Sequence, residues 1–313
     1  MNQQSRQLRE TEQACLEEAI LSTVAYRDVF GFPLTLEEIH RYLHWHGGSV
    51  TAVAAALEDS RLFAGRLETD GRYYCLAGRA SILADRHRQD TRAHQALATA
   101  RDVARQLAHF PHIRMIALTG SLAVRNCYDG SDIDLLCVTS PGLMWQSRAF
   151  LLVAQRLDAM TRKRRICLNF FMSTDAMRFD NRCMYTAQEL AQMVPLYGRE
   201  VYDSMRAENA WSADFLPNAI GAPPMAERMS VTARGAVKSP CEKLAGTLLG
   251  PWLEPFERRR KLRRFNAPDF MDGTYSAYSA ERTGHNMVTG QRIELEWTRR
   301  ANEAISGLGA GSS

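Results

Sequence analysis

Three things are scarce in this chain: paired cysteines, long apolar runs and an excess of one charge. The seven cysteines of the 313 residues are scattered, with no C-x-x-C pair. That excludes the common zinc signatures and a disulfide framework. The longest apolar run in the middle of the chain, Ala149 to Ala154, is far too short for a bilayer, which takes about 20 residues. Met1 to Glu18 is polar and mixed in charge, as expected of a chain without a signal peptide. No membrane partner and a cytoplasmic location are the expectations. The net charge is only +4, and the pI of 8.7 permits an anionic partner without requiring one. No internal repeat is visible. What remains is a composition of 45% apolar and 24% charged residues, ordinary for a globular protein and enough for two or three cores.

The informative stretch is Ile113 to Thr139. Its opening run, Ile113 to Leu118, suits a buried strand. Gly120-Ser121 breaks the run, and Leu122 to Asn126 can form a short helix. Asp129-Gly130 marks a turn, and Asp132 to Val138 reads as a second strand. Side chains two apart on a strand share a face, so Asp132 and Asp134 point the same way, their Cα atoms about 6.5 Å apart. Ile133 and Leu135 then face the core. Adjacent carboxylates repel, and burying either costs free energy. A hard divalent cation, Mg²⁺ or Mn²⁺, resolves that conflict, commonly with phosphate oxygens in its shell. Gly120 lets a phosphate approach the backbone, and Ser121 adds a hydroxyl. Ser131 is a helper at the mouth.

This combination resembles the nucleotidyltransferase superfamily that includes DNA polymerase beta, and most of all its small bacterial members. The resemblance rests on Gly120-Ser121, Ala123 and Ser131-Asp-Ile-Asp-Leu135, about thirty residues in all. It implies transfer of a nucleoside monophosphate from an NTP, with Asp132 and Asp134 on the metal and Gly120, Ser121 and Ser131 on the nucleotide. One departure stands out. The family carries a third carboxylate on a later core strand, and the matching strand here, Ile166 to Met172, offers only Asn169 as a polar side chain. An amide cannot take a proton, and loss of a general base costs about 10²–10⁴ in rate. Three alternatives stay open: Asn169 as a weak ligand, Asp175 or Glu189 as a replacement acid, or a domain that binds nucleotide without transferring it.

Elsewhere the pattern is read as follows. Leu16, Ala19, Ile20 and Val24 lie at helical spacing in a helix over 12–29. Thr35 and Glu38 form a capping box for a helix ending at His44. Ser49 caps a third helix, Val50 to Asp59, and a Gly71 turn joins two short strands. Three helices and a hairpin resemble a winged-helix domain, over 1–80. The third helix has no Arg or Lys, which favours a protein partner over DNA, although Arg61, Arg66 and Arg72 keep nucleic acid open. His40, His44 and His46 are expected at the surface or in caps. Residues 81–110 read as a helical connector whose Arg86, His87, Arg88, Arg92 and His94 form a solvated face. The core spans 111–180, with Cys137 and Cys167 as buried thiols and a helix over 143–160 showing Phe150, Val153, Leu157 and Met160 on one face. Arg162 to Arg165 could grip a phosphate or simply face solvent. Residues 181–313 read as a mostly helical C-terminal domain: an amphipathic helix ended by Pro195, a flexible link at 219–229, a basic run at 258–264 suited to nucleic acid or an acidic partner, and a disordered tail from Gly307. The expected fold is therefore α+β, a mixed-sheet nucleotidyltransferase core flanked by winged-helix-like and helical domains. The expected ligands are an NTP with Mg²⁺ or Mn²⁺ and an acceptor that is a small molecule, a protein or an RNA end. The other reading is a non-catalytic nucleotide-sensing or nucleic-acid-binding regulator.

Overall fold

The computed structural model describes residues 3–58, 65–162, 165–233, 235–265, 281–283 and 287–306. Expectations for Arg61, for Lys163 and Arg164 and for the tail from Gly307 lie outside them. The protein is of mixed α+β type, and no described helix is long and apolar enough to cross a membrane.

The first part is helical. α1 (Gln3–Asp28), α2 (Leu36–Arg41) and α3 (Val50–Glu58) pack Leu16, Ile20, Val24, Ile39, Leu43 and Val53 into one core. The capping box forms: Thr35 Oγ1 accepts from the Glu38 amide at 3.2 Å and Glu38 Oε2 accepts from the Thr35 amide at 2.9 Å. Ser49 Oγ accepts from the Ala52 amide at 3.2 Å at the head of α3. β1 (Leu67–Thr69) and β2 (Tyr74–Leu76) pair antiparallel across the Gly71 turn, where φ is +90°. α2 ends three residues short of His44, which is not a surface histidine but fully buried.

α4 (Ser81–Leu107) leads into the main sheet, and one of its cations departs from the solvated face. Arg86 is 2% exposed, stacked 3.7 Å from the Phe32 ring centroid and bonded to Glu38 at 2.8 Å. The aromatic face and carboxylate offset its desolvation; helical spacing alone does not reveal that such partners exist.

The strands are β3 (Ile113–Leu118), β4 (Ile133–Thr139), β5 (Ile166–Ser173), β6 (Val194–Tyr197) and β7 (Arg282–Thr283). Their order among the described residues is β6-β3-β4-β5-β7, with β4 and β5 parallel and the other neighbours antiparallel. Alternation assigns the faces. Ile116, Leu118, Ile133, Leu135, Leu168 and Phe171 pack against α4 and α6 (Met144–Arg162). Met115, Ala117, Leu136, Val138 and Met172 pack on the other face with Met193, Tyr202 and Met205.

Three expectations change here. In α6 the core face holds Met144, Trp145 and Leu151, while Val153, Leu157 and Met160 are exposed. Leu151-Leu152-Val153 is continuous, so two apolar stripes exist and periodicity cannot choose between them. Pro195 lies not in a helix-ending turn but in β6, which follows α7 (Met184–Gln192) directly. β6 is an edge strand, where a missing N–H is tolerated. The stretch 219–229 is packed rather than a loose link: Ala226 and Met229, in the short α9 (Ala226–Met229) beyond α8 (Arg199–Glu208), join the main core.

Further on, α10 (Gly235–Leu244) and α11 (Gly250–Phe265) follow, α11 bringing the buried Glu254 to the Trp145 and Gln146 amides at the head of α6. The last helix, α12 (Met287–Ser306), returns to α1, where Trp297 Nε1 donates to the Ser22 carbonyl at 3.1 Å.

Candidate active site

The site forms where β3 ends and β4 begins. Leu118 pairs with Leu135, and the Thr119 amide donates to the Asp134 carbonyl at 3.0 Å. The chain then turns at Gly120, whose φ is +66°, into the short helix α5 (Gly120–Ala123). A Cβ on Gly120 would lie 2.5 Å from Asp134 Oδ2, so the glycine backbone rests against that carboxylate. Ser121 follows, half-buried, its carbonyl accepting the Val124 and Asn126 amides. The first-turn amides of α5 have no acceptor within the helix.

Asp134 is half-buried on the face shared with Leu136, and Asp132 stands more exposed at the strand's mouth. Burial pushes the Asp134 carboxyl above the usual carboxylate range; the Cys167 thiol donates to it and opposes the shift, and the Asp132 charge adds to it. Cys167 is the register partner of Asp134 on β5, and burial beside that carboxylate pushes its thiol to about 11. Cys167 is therefore a hydrogen-bond donor facing the site, not a plain buried thiol.

Arg165 guards the mouth. Its Nε lies 3.5 Å from Asp132 Oδ1 and its Nη1 donates to the Gly130 carbonyl at 2.6 Å. The Ser131 hydroxyl oxygen accepts the Tyr128 amide at 2.9 Å, so it closes the turn that delivers Asp132.

The candidates for the third acid separate clearly. Asn169 falls at the register shift where Leu135 pairs with Leu168 and Leu136 with Phe170, so it is the bulged residue of β5. Asp175 accepts from Ser173, whose partner Thr139 ends β4, at the opposite end of the strand from Asp134. Glu189 lies near the site, in the last turn of α7. Val194, just beyond that helix, pairs with Leu118. Burial pushes Glu189 up to about 7, opposed by Arg27 and reinforced by the Asp134 charge.

Sequence reasoning missed what surrounds Glu189. Gln192 Nε2 donates to Glu189 Oε1 at 2.6 Å. Arg27, 4% exposed, donates to Gln192 Oε1 at 3.0 Å and Gln188 Oε1 at 2.9 Å, and stacks 4.5 Å from the Tyr42 ring centroid. Gln188 Nε2 lies 3.1 Å from His44 Nε2, and His44 Nδ1 lies 2.9 Å from Ser22 Oγ. One signal existed: the spacing Leu16, Ile20, Val24 continues to Arg27, a cation on an apolar stripe.

Asp134 in its cradle and Asp132 at the mouth fit a hard divalent cation that shares its shell with phosphate oxygens and water. Among the described residues no group of three or more His, Cys, Asp or Glu could hold a metal ion. No protein-family model, curated protein or solved structure matches the chain.

Proposed function

We propose that the protein is a metal-dependent nucleotidyltransferase, moving an NMP from an NTP to an acceptor group with pyrophosphate leaving. The observation that carries this reading is the contact of Gly120 with Asp134, with Asp132 two residues earlier, just ahead of β4. A backbone that admits phosphate thereby meets a pair of hard oxygen ligands. Asp132 and Asp134 would hold Mg²⁺ or Mn²⁺, which when bound neutralises charge developing on the phosphates. Gly120 and Ser121 would seat the phosphates, Arg165 would turn from Asp132 toward them, and Ser131 would hold the mouth in shape. The winged-helix-like reading of the N-terminal part is supported by its three helices and hairpin. α3 carries no cation, which favours a protein partner there.

The second reading, a nucleotide-binding regulator without transfer, draws on the amide at Asn169. Pyrophosphate release separates the two. The protein would be incubated with each NTP, Mg²⁺ or Mn²⁺ and a cell extract as acceptor source, with the Asp132→Ala/Asp134→Ala double variant as control. Release that needs both aspartates supports the transferase; nucleotide binding without release supports the regulator; neither would overturn both.

A further inference from the structure

Strand β5 offers an amide, Asn169, where the resemblance implies an acid, and the carboxylate whose charge couples to Asp134 comes instead from a helix at the other side of the sheet. Leu118 pairs on one side with Leu135, next to Asp134, and on the other with Val194, two residues beyond α7. The last turn of α7 therefore leads into the strand that flanks Leu118, two residues before Gly120. Glu189 occupies that turn, part-buried, and the charges that act on it are Arg27 of α1 and Asp134. Among the described residues no carboxylate bonds directly to Arg27, whose fork donates to the two α7 amide oxygens. A guanidinium buried on neutral acceptors is costly unless a nearby anion offsets it. Glu189, one hydrogen bond further through Gln192, is that anion.

We infer that Glu189 is the third carboxylate of the site, supplied by helix α7 and facing the acceptor, and that Arg27 of the N-terminal helices is its positioning residue. This rests on the nucleotidyl-transfer reading. The acceptor oxygen would bond to the α-phosphorus as the bond from that phosphorus to the α,β-bridging oxygen breaks. Pyrophosphate leaves with that electron pair, and the acceptor's proton passes to Glu189. Glu189 is assigned to the acceptor and not to the metal shell, in keeping with the lack of a three-ligand group among the described residues. The assignment makes the N-terminal helices part of the machinery: what binds them can move Arg27, and through Gln188 and Gln192 the acid.

The test uses the full chain labelled with ¹³C at glutamate carboxyls, the Glu189 resonance being the one lost in Glu189→Gln. Mn²⁺ with α,β-methylene NTPs should broaden that resonance, and the Asp132→Asn/Asp134→Asn variant should abolish the broadening. Glu189→Gln, which keeps an acceptor for Gln192, should bind the Mn²⁺–analogue within about twofold of the parent yet release pyrophosphate about 10²–10⁴ more slowly. Arg27→Gln should lower kcat at least tenfold with nucleotide affinity held; where it fails to fold, Glu189→Gln alone decides. An unbroadened Glu189 resonance beside aspartate-dependent binding, or normal release by Glu189→Gln, would overturn the assignment and leave the transferase standing. Loss of aspartate dependence in the parent chain would overturn both.

Discussion

The Gly120 Cα packs so closely on Asp134 that a methyl group there would lie 2.5 Å from the carboxylate oxygen Oδ2. The position is doubly closed to other residues, since its φ of +66° also disfavours a side chain. Gly120→Ala is expected to cost about 1–2 kcal/mol of stability and to push the carboxylate out of line. Affinity for a Mn²⁺–nucleotide analogue, read by calorimetry, should fall at least tenfold. An unchanged affinity would remove the central argument for the site.

Asp134 and Asp132 should differ when each is replaced by Asn. Burial and the neighbouring charge penalise ionised Asp134, so Asp134→Asn should be neutral or stabilising by about 0.5–1 kcal/mol at pH 8. The gain should shrink as pH falls and the folded-state carboxyl protonates. Asp132 is exposed, and its replacement should stay within about 0.5 kcal/mol. Urea denaturation at two pH values checks this; both variants should lose the metal-dependent nucleotide response. A clear loss of stability in Asp134→Asn would mark Asp134 as structural.

The strand, turn and strand that frame the candidate site were legible before its geometry. Period-two apolarity set Ile133 and Leu135 inward and the aspartates outward, and the Gly-Ser break supplied the cradle. Local signals also fixed Thr35 with Glu38 and Ser49 with Ala52, because capping needs only residues three apart. What stayed hidden depends on long-range partners. Arg86 reads as a solvated helix cation until Phe32 and Glu38 are brought to it. Arg27 binds residues 161 and 165 positions away. Pro195 argued for a chain break because the edge position that permits it is a property of the assembled sheet. Glu189 reads as one acid among several, and its link to Arg27 through Gln192 is a long-range contact as well.

Glu189 should cost the fold stability at neutral and alkaline pH. Its carboxyl is raised from 4.5 to about 7, so below about 4.5 it is protonated both folded and unfolded, and no penalty exists. Between those values folding takes up a proton. Above about 7 the folded protein carries the buried charge in full. Relative to Glu189→Gln, the parent chain should therefore lose roughly 1–3 kcal/mol as pH rises from 4 to 8. Denaturation midpoints of the two proteins across that range supply the measurement. Parallel curves would show that Glu189 has no perturbed environment.

His44 should contribute the opposite slope. Burial, aided by Arg27, lowers it from 6.5 to about 3. Gln188 Oε1 accepts from Arg27, which leaves its Nε2 to donate to His44; neutral His44 then accepts at Nε2 and donates from Nδ1 to Ser22. Between about pH 3 and 6.5 the unfolded chain binds a proton here that the folded chain does not, so stability falls as pH falls. The Glu189 window overlaps this one from 4.5 to 6.5, with one proton bound by the folded state and one by the unfolded. The two slopes cancel there in the parent chain. Removing either exposes the other at about 1.4 kcal/mol per pH unit. Glu189→Gln should then gain stability with rising pH across that window, and His44→Gln should lose it. The double variant should return to the parent's slope across that window, and the opposed slopes of the single variants require both groups to be buried as the Arg27 network places them. Slopes of equal sign in the two single variants would refute that arrangement.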